Sequence, residues 1–370
     1  MYVYDTALIL KGAIDKINTL IWNRRFHVCG EFKMLVPFTV EHAALLVKNR
    51  LIYKGSDKEG AQITYVHISK NAQGHEEIEV QGKFLPYWMG WRIVLKQIIQ
   101  NAKMSASIKK IVTDNAISPT NTSRAIPLLE LDPLDTETSE AATDFVTEPY
   151  ANAKIEIEDA AKAAGLGVRV RTDFETGKHY FSVYEGRDLT ASLAEQPCVF
   201  SEEFDNITEQ EYTNSIENLR STAYVGGEES EAGRKVAEVG STAEGLERRE
   251  TFVNATDITQ TYKNEQDQEI TLTDAQYLDR LADRGADTLE GMAETLAFLS
   301  KINIFSNLKY RTDFDLGDKV TCINRRWGVK IDVYITEISE TYQAGVENVD
   351  VTFGESLPAL TDKIRQIVKG

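Results

Sequence analysis

The 370-residue sequence contains only three cysteines, Cys29, Cys198 and Cys322, spaced too widely for a zinc ligand set or a disulfide framework. Each sits in or beside an apolar, strand-like run, which predicts buried free thiols. Long apolar runs are missing as well. Leu8-Ile-Leu10 and Ile93-Val-Leu95 fall far short of the roughly 20 residues that span a bilayer, so no membrane anchor is expected. The opening Met1-Tyr-Val-Tyr-Asp-Thr6 lacks the basic and apolar regions of a secretory signal, predicting a chain folded in a cytoplasm. The Asn-x-Ser/Thr triplets at Asn121, Asn206 and Asn254 then have no glycan to carry.

Catalytic signatures are scarce. No Gly-x-x-x-x-Gly-Lys-Ser/Thr loop is present, and Gly226-Gly227 lies in an acidic turn that repels phosphate. Gly-x-Ser-x-Gly is absent, so no nucleophile elbow is encoded. The five histidines, His27, His42, His67, His75 and His179, share no ligand spacing. His75-Glu-Glu-Ile-Glu79 lacks the second histidine of a zinc-protease helix and alternates like a strand. Glu202-Glu203 with Asp205, and Glu228-Glu229, are the first candidates for a glycosidase carboxylate pair. With 58 acidic residues, however, adjacent pairs arise freely. No catalytic, cofactor-binding or metal-ligating residue is therefore assigned, no cofactor is expected, and the expectation is a protein that is not an enzyme.

Positive charge is also in short supply: 41 basic against 58 acidic residues leave a net charge of −17. Such a surface disfavours specific nucleic-acid binding, which relies on lysine and arginine to displace counterions. Two uses of the charge remain open, an acidic channel wall along which DNA slides without sticking and simple solubility. The basic dipeptide Arg24-Arg25 and the run Arg248-Arg249-Glu250 fall in strand-like segments, where a solvated edge or a subunit-interface salt bridge is expected.

What the sequence does contain is alternation. Val320 and Cys322, then Val329, Ile331, Val333 and Ile335, then Val349, Val351 and Phe353 place an apolar residue at every second position in three successive runs. That pattern predicts a three-stranded meander with one buried face, introduced by the turn Asp315-Leu-Gly-Asp318. No side chain in the motif looks chemical; it reads as wall.

At 370 residues, two or three domains are expected, and the chain reads as three blocks. The first, 1–100, is mostly strand: Thr19–Phe26 leads to Glu31–Pro37, and Gln62–Lys70 and Glu76–Gly82 flank Asn71-Ala-Gln-Gly74 as a hairpin. Thr39 caps a short helix over 39–48 with Ala43, Leu46 and Val47 on its apolar face. The second, 101–175, is mixed, with helices expected over Gln97–Val112 and Glu156–Ala164, the latter ending at Gly165. The third, 176–370, resumes strand character, including runs at 207–215, 219–225, 234–239 and 248–255. It includes a long helix over 273–300, opened by the capping box Thr273-Asp-Ala-Gln276 and striped by Leu278, Leu281, Gly285, Leu289, Met292, Leu296 and Leu299. The fold class is mainly β (α+β), with the first and third blocks predicted as antiparallel β-barrels flanking an insert.

The run Ile14–Phe26 with Gly30-Glu-Phe-Lys-Met-Leu-Val-Pro37 resembles the opening of a siphophage tail-protein family that also occurs in prophages and phage-tail-like particles. Gly245-Leu-Glu-Arg-Arg-Glu250, Tyr277-Leu-Asp-Arg-Leu-Ala-Asp-Arg-Gly285, and Asp315-Leu-Gly-Asp318 through Phe353-Gly354 are similar to the rest of that family, in the same order. The resemblance implies the baseplate or tail-tip hub of phage tails and contractile injection systems, a homotrimer in which each chain supplies two tube-like β-barrels. Six barrels in a ring would face the hexameric tail tube protein, with a trimeric spike or tail-fibre and baseplate proteins on the other side and the tape-measure protein passing through. The competing expectations are a tail-associated cell-wall hydrolase and a receptor-binding tail protein.

Overall fold

The computed structural model describes residues 1–55, 57–229, 233–263, 269–303, 306–343 and 345–354. From the N-terminus run β1 (Tyr2–Tyr4), β2 (Leu10–Ala13), β3 (Thr19–Arg25), β4 (Glu31–Pro37), α1 (Val40–Leu45), β5 (Leu51–Tyr53), β6 (Gly60–Lys70) and β7 (Glu76–Phe84). In β3 and β4 every second residue is buried, because side chains in a strand alternate between faces. Thr39 caps α1 by accepting the His42 N–H at 2.9 Å. Gly74, at φ +85°, closes the β6–β7 hairpin as the turn residues require.

The chain continues through β8 (Ile99–Lys103), α2 (Met104–Val112), β9 (Leu129–Leu131), β10 (Ala142–Val146), α3 (Ala153–Ala163), β11 (Gly167–Asp173) and β12 (Lys178–Tyr184). The helix expected over Gln97–Val112 is thus half strand: β8 pairs with β10 along its whole length, and the helix starts only at Met104. α3 begins earlier than the apolar pattern suggests, because Asn152 accepts the N–H groups of Lys154 and Ile155. It ends as expected at Gly165, φ +65°. α2, α3, β11 and β12 enclose one core with Trp88, Ile108, Ile111, Ile157, Phe181 and Val183 buried in it.

Next come β13 (Val199–Ser201), β14 (Ile207–Ser215), β15 (Thr222–Gly226), β16 (Val236–Gly240), β17 (Glu250–Asn254), β18 (Thr261–Lys263), β19 (Glu269–Thr271), α4 (Asp274–Glu290), β20 (Thr295–Ile302), β21 (Lys319–Asn324), β22 (Val329–Gln343) and β23 (Val346–Gly354). The capping box at Thr273 and Gln276 is present. The helix expected to reach residue 300 stops at Glu290, however, and Leu296 and Leu299 belong to β20. There Phe298 and Ser300 are buried while Leu299 is half exposed, and the strand pairs with β23, so alternation overrides the helical stripe.

Two compact units result, one of residues 1–212 with 297–370 and one of residues 213–296. The smaller consists of β16-β15-β17 and the β18–β19 hairpin with α4, whose Tyr277 and Leu281 are buried with Ala223, Val225 and Ile258. α4 lies close on its sheet because position 285 is glycine: a Cβ there would stand 2.3 Å from Val239 Cγ1 and 2.6 Å from Val225 Cγ2.

The larger unit is built on a 13-stranded sheet ordered β14-β20-β23-β22-β3-β4-β7-β6-β5-β1-β2, with β21 on β22 and β13 on β21. From β20 to β2 its pairings are antiparallel, as is that of β21 with β22, while β13 runs parallel to β21. The expected meander β21-β22-β23 is present, with Val320, Cys322, Val333, Ile335, Val349, Val351 and Phe353 buried. Strands of the first and third blocks do not form separate barrels. They meet where β22 pairs with β3 from Glu337↔Arg25 to Gln343↔Thr19, and among the described residues no sheet closes on itself. The 15-residue β22 makes this possible: a bulge between Ile335 and Glu337 turns it so that it serves β21 at one end, β3 at the other and β23 along its second edge. Each half keeps its own core, one around Trp22, Phe32, Met34, Ile63 and Val80, the other around Phe26, Phe200, Phe298, Ile335 and Phe353.

Candidate functional site

The joint between β3 and β22 gathers a dense set of charged side chains. Alternation in β3 carries the buried positions from Leu20 and Trp22 to Arg24, which is 5% exposed. Arg24 Nη2 donates to Glu59 Oε1 at 2.7 Å, and Nη1 donates to Asp315 Oδ1 at 2.8 Å and to the Tyr310 hydroxyl at 2.9 Å. Burial works against its charge, but Glu59, Tyr310 and Asp315 hold the guanidinium well above its ordinary pKa. Tyr310 in turn donates to Glu340 of β22 at 3.0 Å, and Arg311 joins Glu340 at 3.0 Å to Asp57 at 2.7 Å. Lys54 also pairs with Glu340. Four stretches of chain far apart in sequence are thereby tied to one point.

The turn before the meander supplies the other half of this joint. Asp318, 3% exposed, accepts the Asp315 N–H at 2.8 Å and grips Arg187 through its backbone N–H, Nε and Nη2. Gly317 sits at φ +93° with Phe26 so close that a Cβ would be 2.3 Å from its Cε2, which requires glycine twice over. The motif read as wall from sequence is therefore also the anchor for Arg24 and Arg187. A readable signal existed: Arg24 continues the parity of the buried residues Leu20 and Trp22, so a buried, paired arginine follows.

The solvated edge expected at Arg24-Arg25 is corrected accordingly. β3 is an interior strand, and Arg25 is held by Glu337 at 2.7 Å and Glu31 at 3.0 Å within the chain. Arg248 likewise pairs within the chain, with Glu238 at 2.7 Å and Glu250 at 2.6 Å.

The remaining candidates are scattered. Glu202, Glu203 and Asp205 lie in an exposed turn, where Glu203 pairs with Arg325 at 3.3 Å. Glu228 accepts the Gln260 N–H at 2.9 Å, and Gly227 abuts the Tyr277 hydroxyl. His67 and His75 are exposed on the β6–β7 hairpin, His42 bonds the Pro37 carbonyl at 2.9 Å, and His27 bonds that of Leu166 at 2.8 Å. His179 is buried, its Nδ1 bonded to Thr172 Oγ1 at 2.8 Å beside the Trp88 ring, and burial lowers its pKa to about 4. All three cysteines are free and buried. Burial raises the thiols of Cys29 and Cys198 to about 12 and that of Cys322 well above its ordinary value, so they stay protonated and unreactive at neutral pH. Cys198 and Cys322, distant in sequence, come onto neighbouring chain segments, the Cys198 carbonyl accepting the Thr321 N–H at 3.2 Å. Among the described residues, no group of three or more histidines, cysteines and carboxylates converges as a metal site.

This open, mostly antiparallel frame is a phage tail-protein fold. It is similar to the tail protein from Neisseria meningitidis MC58 (14% identity, 92% of this chain on 93% of that one, TM-score 0.56) and to the 43 kDa tail protein of prophage MuSo2 from Shewanella oneidensis (12%, 95% on 97%, 0.56). Prophage tail protein gp18 from Listeria monocytogenes EGD-e is also similar (12%, 100% on 98%, 0.52). No curated protein matches by sequence. Residues 1–355 match the family described as Siphovirus ReqiPepy6 Gp37-like protein, and the chain belongs to that family.

Proposed function

We propose that this chain is a structural hub of a phage tail tip or baseplate, acting in the virion or in a phage-tail-like particle without catalysis. Three copies assemble into a ring that meets the hexameric tail tube on one face and a trimeric spike or fibre complex on the other. The observation that carries this reading is the match of residues 1–355 to a siphovirus family, together with the arrangement of the large unit. Its sheet bears two separate cores, one per half, on a single covalent frame. Each half is the counterpart of one tube-like module, so three chains present six. The sheet path ends at β2 and β14, and a neighbouring copy in a ring covers such open ends. The net charge of −17 suits a lining that does not retain DNA.

Electron microscopy of the intact particle tests the assignment. Density for this chain at the end of the tube, in three copies, is expected. Six copies per ring, or a location away from the tube, would overturn it. The purified chain is expected to sediment as a trimer, to bind tail-tube protein and to leave purified cell wall intact.

A further inference from the structure

We propose that the large unit contains an oxyanion-binding site, a cavity of about 230 Å³ walled by Asp57, Lys58, Glu59, Arg169, Arg171 and Arg311, which takes phosphate or a small carboxylate. Four cations facing one space stand out in a chain with a net charge of −17. Two of them are already matched, and so is one of the two carboxylates between them. Arg311 is paired with Asp57 at 2.7 Å, Arg171 with Asp132 at 2.9 Å, and Glu59 is taken up by Arg24 at 2.7 Å. Arg169 makes no ion pair among the described residues. Its guanidinium lies 4.3 Å from the centre of the Tyr184 ring, and its Nε is buried without a hydrogen-bond partner. Lys58 is exposed and also makes no ion pair among the described residues. The walls therefore carry two surplus cations, which favours an anion with at least two acceptor oxygens.

The walls are held in place before any ligand arrives. The Lys58 carbonyl accepts the Thr172 N–H at 2.8 Å and the backbone of Glu59 pairs with that of Arg171 in an isolated antiparallel bridge, so the segment carrying Asp57, Lys58 and Glu59 is fastened to β11, which bears both Arg169 and Arg171. Arg311 is fixed from the far side by Glu340. A second, smaller void of about 10 Å³ shares Glu59 and Arg169 and is lined by Arg24, whose buried Nε is likewise unpartnered. The unpartnered Arg24 Nε thus belongs to a residue of the smaller void and the unpartnered Arg169 Nε to a residue that lines both, and a buried donor without an acceptor is costly. Pairing with fixed arginines loses little side-chain freedom on binding. The inference does not depend on the assignment to a tail.

Isothermal titration of the full chain at constant ionic strength, with inorganic phosphate and separately with acetate, tests it. Saturable phosphate binding that weakens by about tenfold in both Arg169→Gln and Lys58→Gln supports the site, as expected for removal of a charge-assisted hydrogen bond. Acetate binding that is lost in the same variants supports it with a carboxylate as the ligand. No saturation by either anion up to roughly 50 mM, or binding that both variants retain in full, overturns it. If Arg169→Gln does not fold, Lys58→Gln decides alone, since an exposed side chain can be changed without disturbing the core.

Discussion

Arg24 and Arg248 each hold two carboxylates and a tyrosine hydroxyl, one in each compact unit, and the same contacts serve different ends. Arg24 sits in the interior of the sheet with its side chain 5% exposed, and its partner Glu59 is 15% exposed. The two acidic partners of Arg248 are about half exposed. Water competes for every bond Arg248 makes, and around Arg24 it competes mainly at Asp315, which is 40% exposed. The first network therefore fixes which strands may meet, whereas the second dresses a surface.

The comparison breaks most decisively at Arg24. Arg24→Ala leaves Glu59 and Asp315 facing each other across a vacated site, and chemical denaturation is expected to register a loss of about 3–5 kcal/mol. A loss below 1 kcal/mol, roughly that of an exposed pair, would mean that the buried network is no stronger than a surface one.

Acidity separates the two units next. The small unit, residues 213–296, contains no histidine, whereas the large one buries His179. Burial lowers the His179 pKa from 6.5 to about 4 in the fold, so protons bind the unfolded chain first as the pH falls. Its contribution is complete above pH 6.5 and is lost between there and about 4, up to about 3 kcal/mol. Hydrogen exchange followed across this window should show β11 and β12 loosening, and His179→Phe should flatten that part of the profile.

Smaller effects probe the small unit on its own terms. Gly285→Ala adds helix propensity, yet its Cβ would sit 2.3 Å from Val239, so a net loss of about 1–2 kcal/mol is expected by overpacking. Exchange protection should fall in α4 and β16 and hold in β3. Thr273→Ala removes the cap of α4 and should cost about 1 kcal/mol, read in the same experiment. Arg248→Ala closes the series, with no resolvable change in the unfolding midpoint expected.

How much of this was legible depended on range. The caps at Thr39 and Thr273 and the Gly74 turn are written within a few residues, and each is found where the sequence places it. The meander is legible for the same reason, its strands being consecutive. The β3–β22 pairing joins residues 312 apart, such as Arg25 and Glu337, and no local pattern reports it. The barrels expected from each block were inferred without that pairing, which instead links the blocks into one open sheet. The tail of the supposed long helix was misread because Leu296 and Leu299 fit a helical stripe as well as a strand. Pairing with Val346–Gly354, encoded some fifty residues later, decides the matter. No local pattern announces the cation-lined cavity, because its walls come from positions 57–59, 169, 171 and 311, each unremarkable in its own neighbourhood.

The seam between β3 and β22 has a mechanical corollary. Its seven paired positions lie side by side, and hydrogen bonds between antiparallel strands run perpendicular to the strand axis. A pull along the strands must shear many of these bonds together, whereas a pull across them unzips one pair after another. The frame is therefore stiff to axial thrust and comparatively weak to prying, an anisotropy set by the length of a single ribbon, Val329–Gln343.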